Sequence, residues 1–198
     1  MPAVPPGAMF PGRFRPGLGH CVREVMQQAG VAVDSPLTWL GEQVRANDGA
    51  LRGTHGDDRG KLLVVGRRDP PVAANGGPGL LSGGRGPLTL AFAGELAVGV
   101  ILDGVAPGGI PDVKRHEKAV AAVRSGRADA RLEDDPEVVA VVPFSHDLPA
   151  EELSQYLTTL GHQGVTTVAA VAVEPEGLPI GDDRVLSLIE KLSAAADG

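Results

Sequence analysis

The last third of the chain alternates between short apolar runs and segments with the apolar spacing of a helix. Residues 137–142 and 165–173 are runs rich in β-branched residues, which favour strands. Residues 149–160 and 182–196 place apolar side chains three to four positions apart, as amphipathic helices do. This strand–helix–strand–helix order predicts a parallel sheet covered by helices.

The first two thirds of the chain show weaker but readable patterns. They predict a helix over 20–29, a helix from Ser35 to about Ala46, a central strand over 61–66, a strand over 88–92 and a helix over 112–125. Capping residues and terminal glycines support the helices, and a continuous apolar run supports the central strand.

Two segments leave the assignment open. Residues 67–87 form a stretch of about twenty residues that is rich in glycine and proline. A loop of this length in a compact domain is functional or disordered, or it conceals a missed element. Residues 95–105 fit a helix, because their apolar residues form one stripe, and they also fit a buried strand. We favour the helix.

These elements predict an α/β fold in a single domain over residues 19–198, with a mixed or mostly parallel sheet of about four strands covered by helices. Residues 1–18 contain five prolines and three glycines, which predicts an irregular, extended N-terminal arm. Met9, Phe10 and Phe14 need a surface against which to be buried. That surface belongs either to the same domain or to a neighbouring subunit, and we expect a homo-oligomer.

Composition narrows the class of protein. The 198 residues are 42% hydrophobic, which is enough for the core of one domain. Cys21 is the single cysteine and therefore allows no intrachain disulfide. No segment has the pattern of a signal peptide or of a membrane span, so we expect a cytoplasmic protein. The net charge of −7 and a pI near 5.2 argue against binding to nucleic acid or to an anionic membrane.

The strongest candidate site directly follows the strand predicted over 137–142. Ser145, His146 and Asp147 lie there, at the edge where open α/β sheets bind their ligands. We interpret them as polar contacts or acid–base groups, with His146 as the proton carrier. Three consecutive side chains point in different directions and therefore form no catalytic triad. The alternative is that Asp147 caps the next helix and the other two are ordinary loop residues.

A second candidate is an anion site made by arginines beside glycine-rich backbone. Arg67 and Arg68 follow the strand predicted over 61–66, and Arg85 lies between glycines. Arginine binds phosphate or carboxylate through two hydrogen bonds, and glycine lets backbone N–H groups approach an anion. No named phosphate-binding motif is present, so a surface loop is the alternative. The His/Asp cluster at 54–58 fits a solvated turn better than a metal centre, and we assign no metal site.

Two functions remain open. The first is a small enzyme or ligand-binding protein that acts on an anionic metabolite, for example a phosphorylated one. The second is a non-catalytic oligomeric or interaction protein whose N-terminal arm contacts a neighbouring subunit. The residues identify no cofactor, substrate or reaction class.

Overall fold

A sheet of five parallel strands organises the fold. In a computed structural model of the protein, the described residues are 9–10, 12–31, 33–52, 58–65, 79–97, 99–103, 113–145, 147–173 and 182–196. The strands are β1 (Gly17–Gly19), β2 (Asp58–Arg59), β3 (Val64–Val65), β4 (Leu81–Gly84), β5 (Gly99–Asp103), β6 (Glu137–Ser145) and β7 (Thr167–Val173). The helices are α1 (Arg23–Gln28), α2 (Pro36–Leu51), α3 (Pro87–Leu96), α4 (Val113–Asp129), α5 (Ala150–His162) and α6 (Asp182–Ala196).

The strand order in the main sheet is β1-β4-β5-β6-β7, and each neighbouring pair is parallel. The predicted α/β class is therefore confirmed, as is the parallel pairing of β6 with β7 around α5. Strands β2 and β3 form a separate antiparallel pair. Residues 17 and 18, which the sequence assigned to the arm, belong to the edge strand β1, and residues 1–8 lie outside the described residues.

Three sequence-based assignments in the middle of the chain are wrong. The central strand predicted over 61–66 is reduced to β3, which pairs only with β2 among the described residues. The strand predicted over 88–92 is part of α3, a helix that is almost entirely apolar and whose apolar residues do not form one stripe. Residues 99–103 are β5 rather than part of a helix. The long loop over 67–87 conceals a missed element, which was one of the alternatives left open, because β4 lies within it.

The main core lies between the sheet and the helices on one of its faces. Along β6, burial alternates, so that Val138, Ala140, Val142 and Phe144 are covered by helices. The ring of Phe144 meets the ring of Tyr156 on α5 edge to face, with 5.7 Å between the centroids. The intervening Val139 and Val141 point to the opposite face and are half-buried.

Helices α3 and α4 approach each other closely because each has a glycine at the contact. A Cβ built on Gly126 of α4 would lie 2.6 Å from the carbonyl carbon of Ala91. One built on Gly94 of α3 would lie 3.0 Å from the carbonyl carbon of Val123. These neighbours are backbone atoms, which cannot swing away as the end of a side chain can. The two glycines therefore determine how closely the helices pack.

Arg127 completes this contact from the last turns of α4. Its side chain is only 4% exposed. The guanidinium donates hydrogen bonds to the backbone oxygens of Ala97 (3.0 Å) and Asp134 (2.8 Å), and it pairs with the Asp134 carboxylate. A buried cation needs such partners because its desolvation is unfavourable. Arg127 thereby joins the end of α3 to the connector between α4 and β6.

The small β2–β3 sheet is attached to α2 through the carboxylate of Glu42. Oε1 accepts a hydrogen bond from the N–H of Lys61 (2.6 Å), and Oε2 accepts from Leu62 (2.9 Å) and Leu63 (2.7 Å). Burial raises the pKa of this carboxyl, but the three N–H groups and the charge of Arg45 together lower it below its ordinary value of 4.5. The ionised carboxylate is therefore the form that holds the hairpin.

We expect Gly126→Ala to lower the free energy of unfolding by about 1–3 kcal/mol, because the new methyl group overlaps the backbone of Ala91. This loss would oppose the helix propensity of alanine, which exceeds that of glycine by about 1 kcal/mol. Denaturant titration measures the change. The matched control is Gly161→Ala in α5, where nothing lies within 4 Å of the added Cβ. Equal effects of the two substitutions would contradict close packing at Gly126.

We expect Glu42→Gln to speed hydrogen exchange at the amides of residues 61–63, because glutamine offers one acceptor oxygen and turns an NH₂ group toward the donors. In the unsubstituted protein, the folded-state pKa of Glu42 lies below the unfolded value. Its stabilisation is therefore present above about pH 4.5 and is lost as the pH falls through the folded pKa. Exchange measured against pH checks both expectations.

The matched control for Glu42 is Glu95→Gln, at an exposed position on α3. That variant should keep both the protection of residues 61–63 and its dependence on pH. Undiminished protection of these amides in Glu42→Gln would show that the carboxylate does not hold the hairpin.

Candidate functional site

The carboxyl ends of β4 and β5 border a cavity of about 530 Å³. The cavity lies between the turn that joins β4 to α3 and the first turns of α4. Parallel sheets bind ligands at this edge. The apolar part of the lining comes from Pro87, Leu90, Leu102 and Ala119. Leu90 and Leu102 are nearly inaccessible and belong to the main core, so this part of the cavity has a fixed shape.

The remaining lining is strongly basic. Arg85, Lys114 and Lys118 are exposed and Arg115 is half-buried. His116 is only 2% exposed and lies on the same helix as the two lysines. None of the described residues that line the cavity is acidic. The cavity therefore combines an apolar interior with a concentration of positive charge, which favours an anionic ligand.

The sequence of the β4–α3 turn allows its backbone to pack closely against the side chain of Thr89. A Cβ built on Gly84 would lie 2.5 Å from Cγ2 of Thr89, so this position requires glycine. Gly86 is the N-cap of α3 and makes no side-chain capping bond, and Pro87 occupies the first turn. The N–H groups at the start of a helix carry partial positive charge, which adds to that of Arg85.

Helix α4 has a buried side and an exposed side. His116, Val120 and Val123 are buried, whereas Lys114 and Lys118 are exposed. The two lysines are four residues apart and therefore lie on the same side of the helix. This spacing places two cations next to one another along the cavity wall.

The predicted arginine site is described in part. Arg85 lines the cavity, whereas Arg67 and Arg68 lie outside the described residues. The expectation that they follow a strand of the main sheet is wrong, because Val64–Val65 belongs to the separate two-stranded sheet. The role of the three arginines in ligand binding stays a prediction.

The predicted polar site at the end of β6 is also described in part. Ser145 is half-buried, and its Oγ accepts a hydrogen bond from the N–H of Asp147 at 3.3 Å. Asp147 is exposed, and His146 lies outside the described residues. Neither Ser145 nor Asp147 lines the cavity. Their proposed chemistry stays a prediction.

The sequence pattern did not predict the contribution of α4, which supplies Lys114, Arg115, His116 and Lys118 to the lining. The helix itself was predicted, but the segment before it was interpreted as another helix rather than as β5. Without that strand, the start of α4 could not be placed at the carboxyl edge of the sheet. Four basic or imidazole side chains within five residues, at the start of a helix that follows a strand, are the signal that identifies it.

A model of the luciferase-like monooxygenase family matches residues 7–178, well over half of the sequence. The chain belongs to this family. No curated protein matches it.

No helix within the described part of the chain has the length and apolar character needed to cross a membrane. In that same part, no group of three histidine, cysteine, aspartate or glutamate residues is placed to hold a metal ion.

Three solved structures are similar in fold to this family member. An F420-dependent secondary alcohol dehydrogenase in complex with an F420-acetone adduct has a TM-score of 0.59 at 14% identity, over 96% of this chain and 63% of the other. A coenzyme F420-dependent tetrahydromethanopterin reductase from Methanopyrus kandleri has a TM-score of 0.55 at 22% identity, over 93% and 66%. Monooxygenase RslO1 from Streptomyces bottropensis has a TM-score of 0.52 at 15% identity, over 94% and 51%.

At these identities the likeness concerns the fold, which is of the luciferase-like, TIM-barrel type. The chain spans between about half and two thirds of the length of the three structures. In TIM barrels, ligands bind at the carboxyl ends of the strands. The basic cavity lies at this edge.

Proposed function

We propose that the basic cavity binds the anionic part of a redox coenzyme or substrate, and that the protein contributes to an oxidoreductase reaction. The observation that carries this proposal is a cavity at the carboxyl edge with four basic side chains and no acidic residue among its described lining. Membership of the luciferase-like monooxygenase family supports oxidoreductase chemistry. Two of the three similar structures are named for coenzyme F420, which makes that coenzyme the first candidate.

The residues of the cavity fit such a ligand. Its volume of about 530 Å³ lies within the usual range for small-molecule sites. Leu90 and Leu102 offer an apolar surface to a ring or chain. Arg85 can bind an oxyanion through two hydrogen bonds, while Lys114 and Lys118 act as point charges. When bound, a redox coenzyme supplies the hydride or electron transfer, and these side chains bind and orient it.

Polar groups for the reaction itself are proposed at the end of β6. Ser145 is the last residue of β6 and Asp147 follows the strand, whose carboxyl end lies at the same edge of the sheet as that of β4. His146, between them in sequence, is the candidate proton carrier because imidazole titrates near neutrality. Removal of His146 would then affect turnover more than coenzyme affinity.

We expect Arg85→Ala to weaken the binding of an anionic ligand by about tenfold or more, because a hydrogen bond between charged groups contributes about 1.5–3 kcal/mol. Isothermal titration with coenzyme F420, with flavin mononucleotide and with pyrophosphate measures the effect. Arg124→Ala is the matched control, because Arg124 is exposed on α4 and does not line the cavity. Circular dichroism should show both variants folded.

The three ligands test the anion site and the oxidoreductase assignment separately. A coenzyme that binds, and loses affinity in Arg85→Ala but not in Arg124→Ala, supports it. Binding of pyrophosphate without either coenzyme would keep the anion site and contradict the oxidoreductase assignment. Absence of binding by all three would contradict the anion site itself.

A second candidate function is contact with a neighbouring subunit through the N-terminal arm. Met9 and Phe10 are 57% and 52% exposed, and Val22 next to α1 is 58% exposed. Replacing Met9 and Phe10 together by serine should then lower the molar mass measured by light scattering. Leu132→Ser, at a 40% exposed position between α4 and β6, is the control. An unchanged mass in the double variant would contradict this interface.

A further inference from the structure

His20 lies at the same sheet edge as the cavity, directly after β1. In the register of the sheet, Gly19 of β1 pairs with Gly83 of β4, so His20 comes level with the turn that begins at Gly84. The imidazole is partly buried, and Nε2 lies 3.3 Å from Oγ1 of Thr89 on α3. Nδ1 lies 3.3 Å from the backbone oxygen of Cys21.

These two contacts determine which nitrogen carries the proton. A backbone carbonyl accepts hydrogen bonds and cannot donate, so Nδ1 of His20 must carry a hydrogen to bond Cys21. In the neutral ring, Nε2 is then an acceptor, and the hydroxyl of Thr89 donates to it. In the charged ring, Nε2 carries a proton and donates, so that Oγ1 of Thr89 accepts instead. The hydroxyl hydrogen of Thr89 then no longer bonds His20 and is available to another acceptor.

Thr89 is also the side chain against which the turn is packed. Its Cγ2 occupies the space next to Gly84, where a Cβ would come within 2.5 Å. Its Oγ1 lies 4.0 Å from the position of a Cβ on Gly86, at the start of α3. A movement of the Thr89 side chain would therefore shift the backbone beside Arg85, which lines the cavity.

We propose that His20 is a positioning residue that acts through Thr89: its protonation frees the Thr89 hydroxyl to donate to an anion at the Gly84–Gly86 turn. This inference rests on the proposed anion site and specifies its regulation by pH. Affinity for a small oxyanion should rise as the pH falls, because protonation of His20 gives the site a donor and a nearby positive charge.

The effect of His20 has to be distinguished from that of other charged or titratable groups. Cys21, Arg23 and Glu24 follow His20 in the sequence, Glu42 and Arg45 lie on α2, and Arg85 and His116 line the cavity. Of these, His116 is the other imidazole. A variant at His116 is therefore a necessary control.

The test is titration of the whole chain with sulfate, which keeps its double negative charge between about pH 5.5 and 7.5, at constant ionic strength. Backbone amide shifts of Gly84 and Gly86 report binding. In the unsubstituted protein we expect about fivefold tighter binding at the lower pH, the effect of one added hydrogen bond. His20→Gln and Thr89→Val should remove this dependence. Thr89→Ser, which keeps the hydroxyl, should restore it, and His116→Gln should retain it.

Each outcome has a distinct meaning. An unchanged pH profile in His20→Gln would overturn the inference while the anion site stands. A profile lost in His20→Gln but intact in Thr89→Val would overturn the route through Thr89. If the pH dependence is lost in His116→Gln and kept in His20→Gln, it belongs to His116, and the inference is also overturned. Absence of sulfate binding at every pH would instead count against the proposed anion site.

Discussion

The close approach of α3 and α4 is the constraint on which the rest of the structure depends. Gly94 and Gly126 allow the backbones to meet, and Arg127 joins the end of α3 to the segment that leads into β6. The same two helices supply both walls of the basic cavity, with Leu90 on α3 and Ala119 on α4. Any separation at the glycines would therefore widen the cavity and move the lysines of α4 away from the β4–α3 turn.

The two faces of the main sheet differ in how deeply their side chains are buried. Val138, Ala140 and Val142 on the helix face are inaccessible, while Val139 and Val141 on the other face are half-buried and Val171 is 42% exposed. Parallel strands are usually buried on both faces, and in a TIM barrel the second face points into the barrel. The apolar residues on this face suit the interior of a barrel, and they explain why residues 138–142 form a continuous apolar run.

The sequence predicts the fold best where packing on one side creates a clear pattern. Strands β6 and β7 and helices α5 and α6 follow from β-branched runs and amphipathic stripes. Strand β4 could not be predicted in this way, because Leu81–Gly84 ends in two glycines and has no β-branched residue. Helix α3 was mistaken for a strand because its sequence is almost entirely apolar and therefore has no polar stripe. Misassignment of β5 followed, since an apolar run of its length fits either state.

The candidate site was predicted in part for a related reason. The pattern of glycines around Arg85 is local and can be read from the sequence, whereas the approach of Lys114 and Lys118 depends on how α3 and α4 pack. The net charge of the protein does not indicate whether this site binds an anion. The protein carries a formal charge of −7, yet at physiological ionic strength charges beyond about 8 Å are largely screened. An anion at the β4–α3 turn therefore experiences the nearby cations and the start of α3 rather than the acidic surface elsewhere. An extended polyanion such as nucleic acid would need a long basic surface, so overall acidity argues against that partner and leaves a small anion compatible.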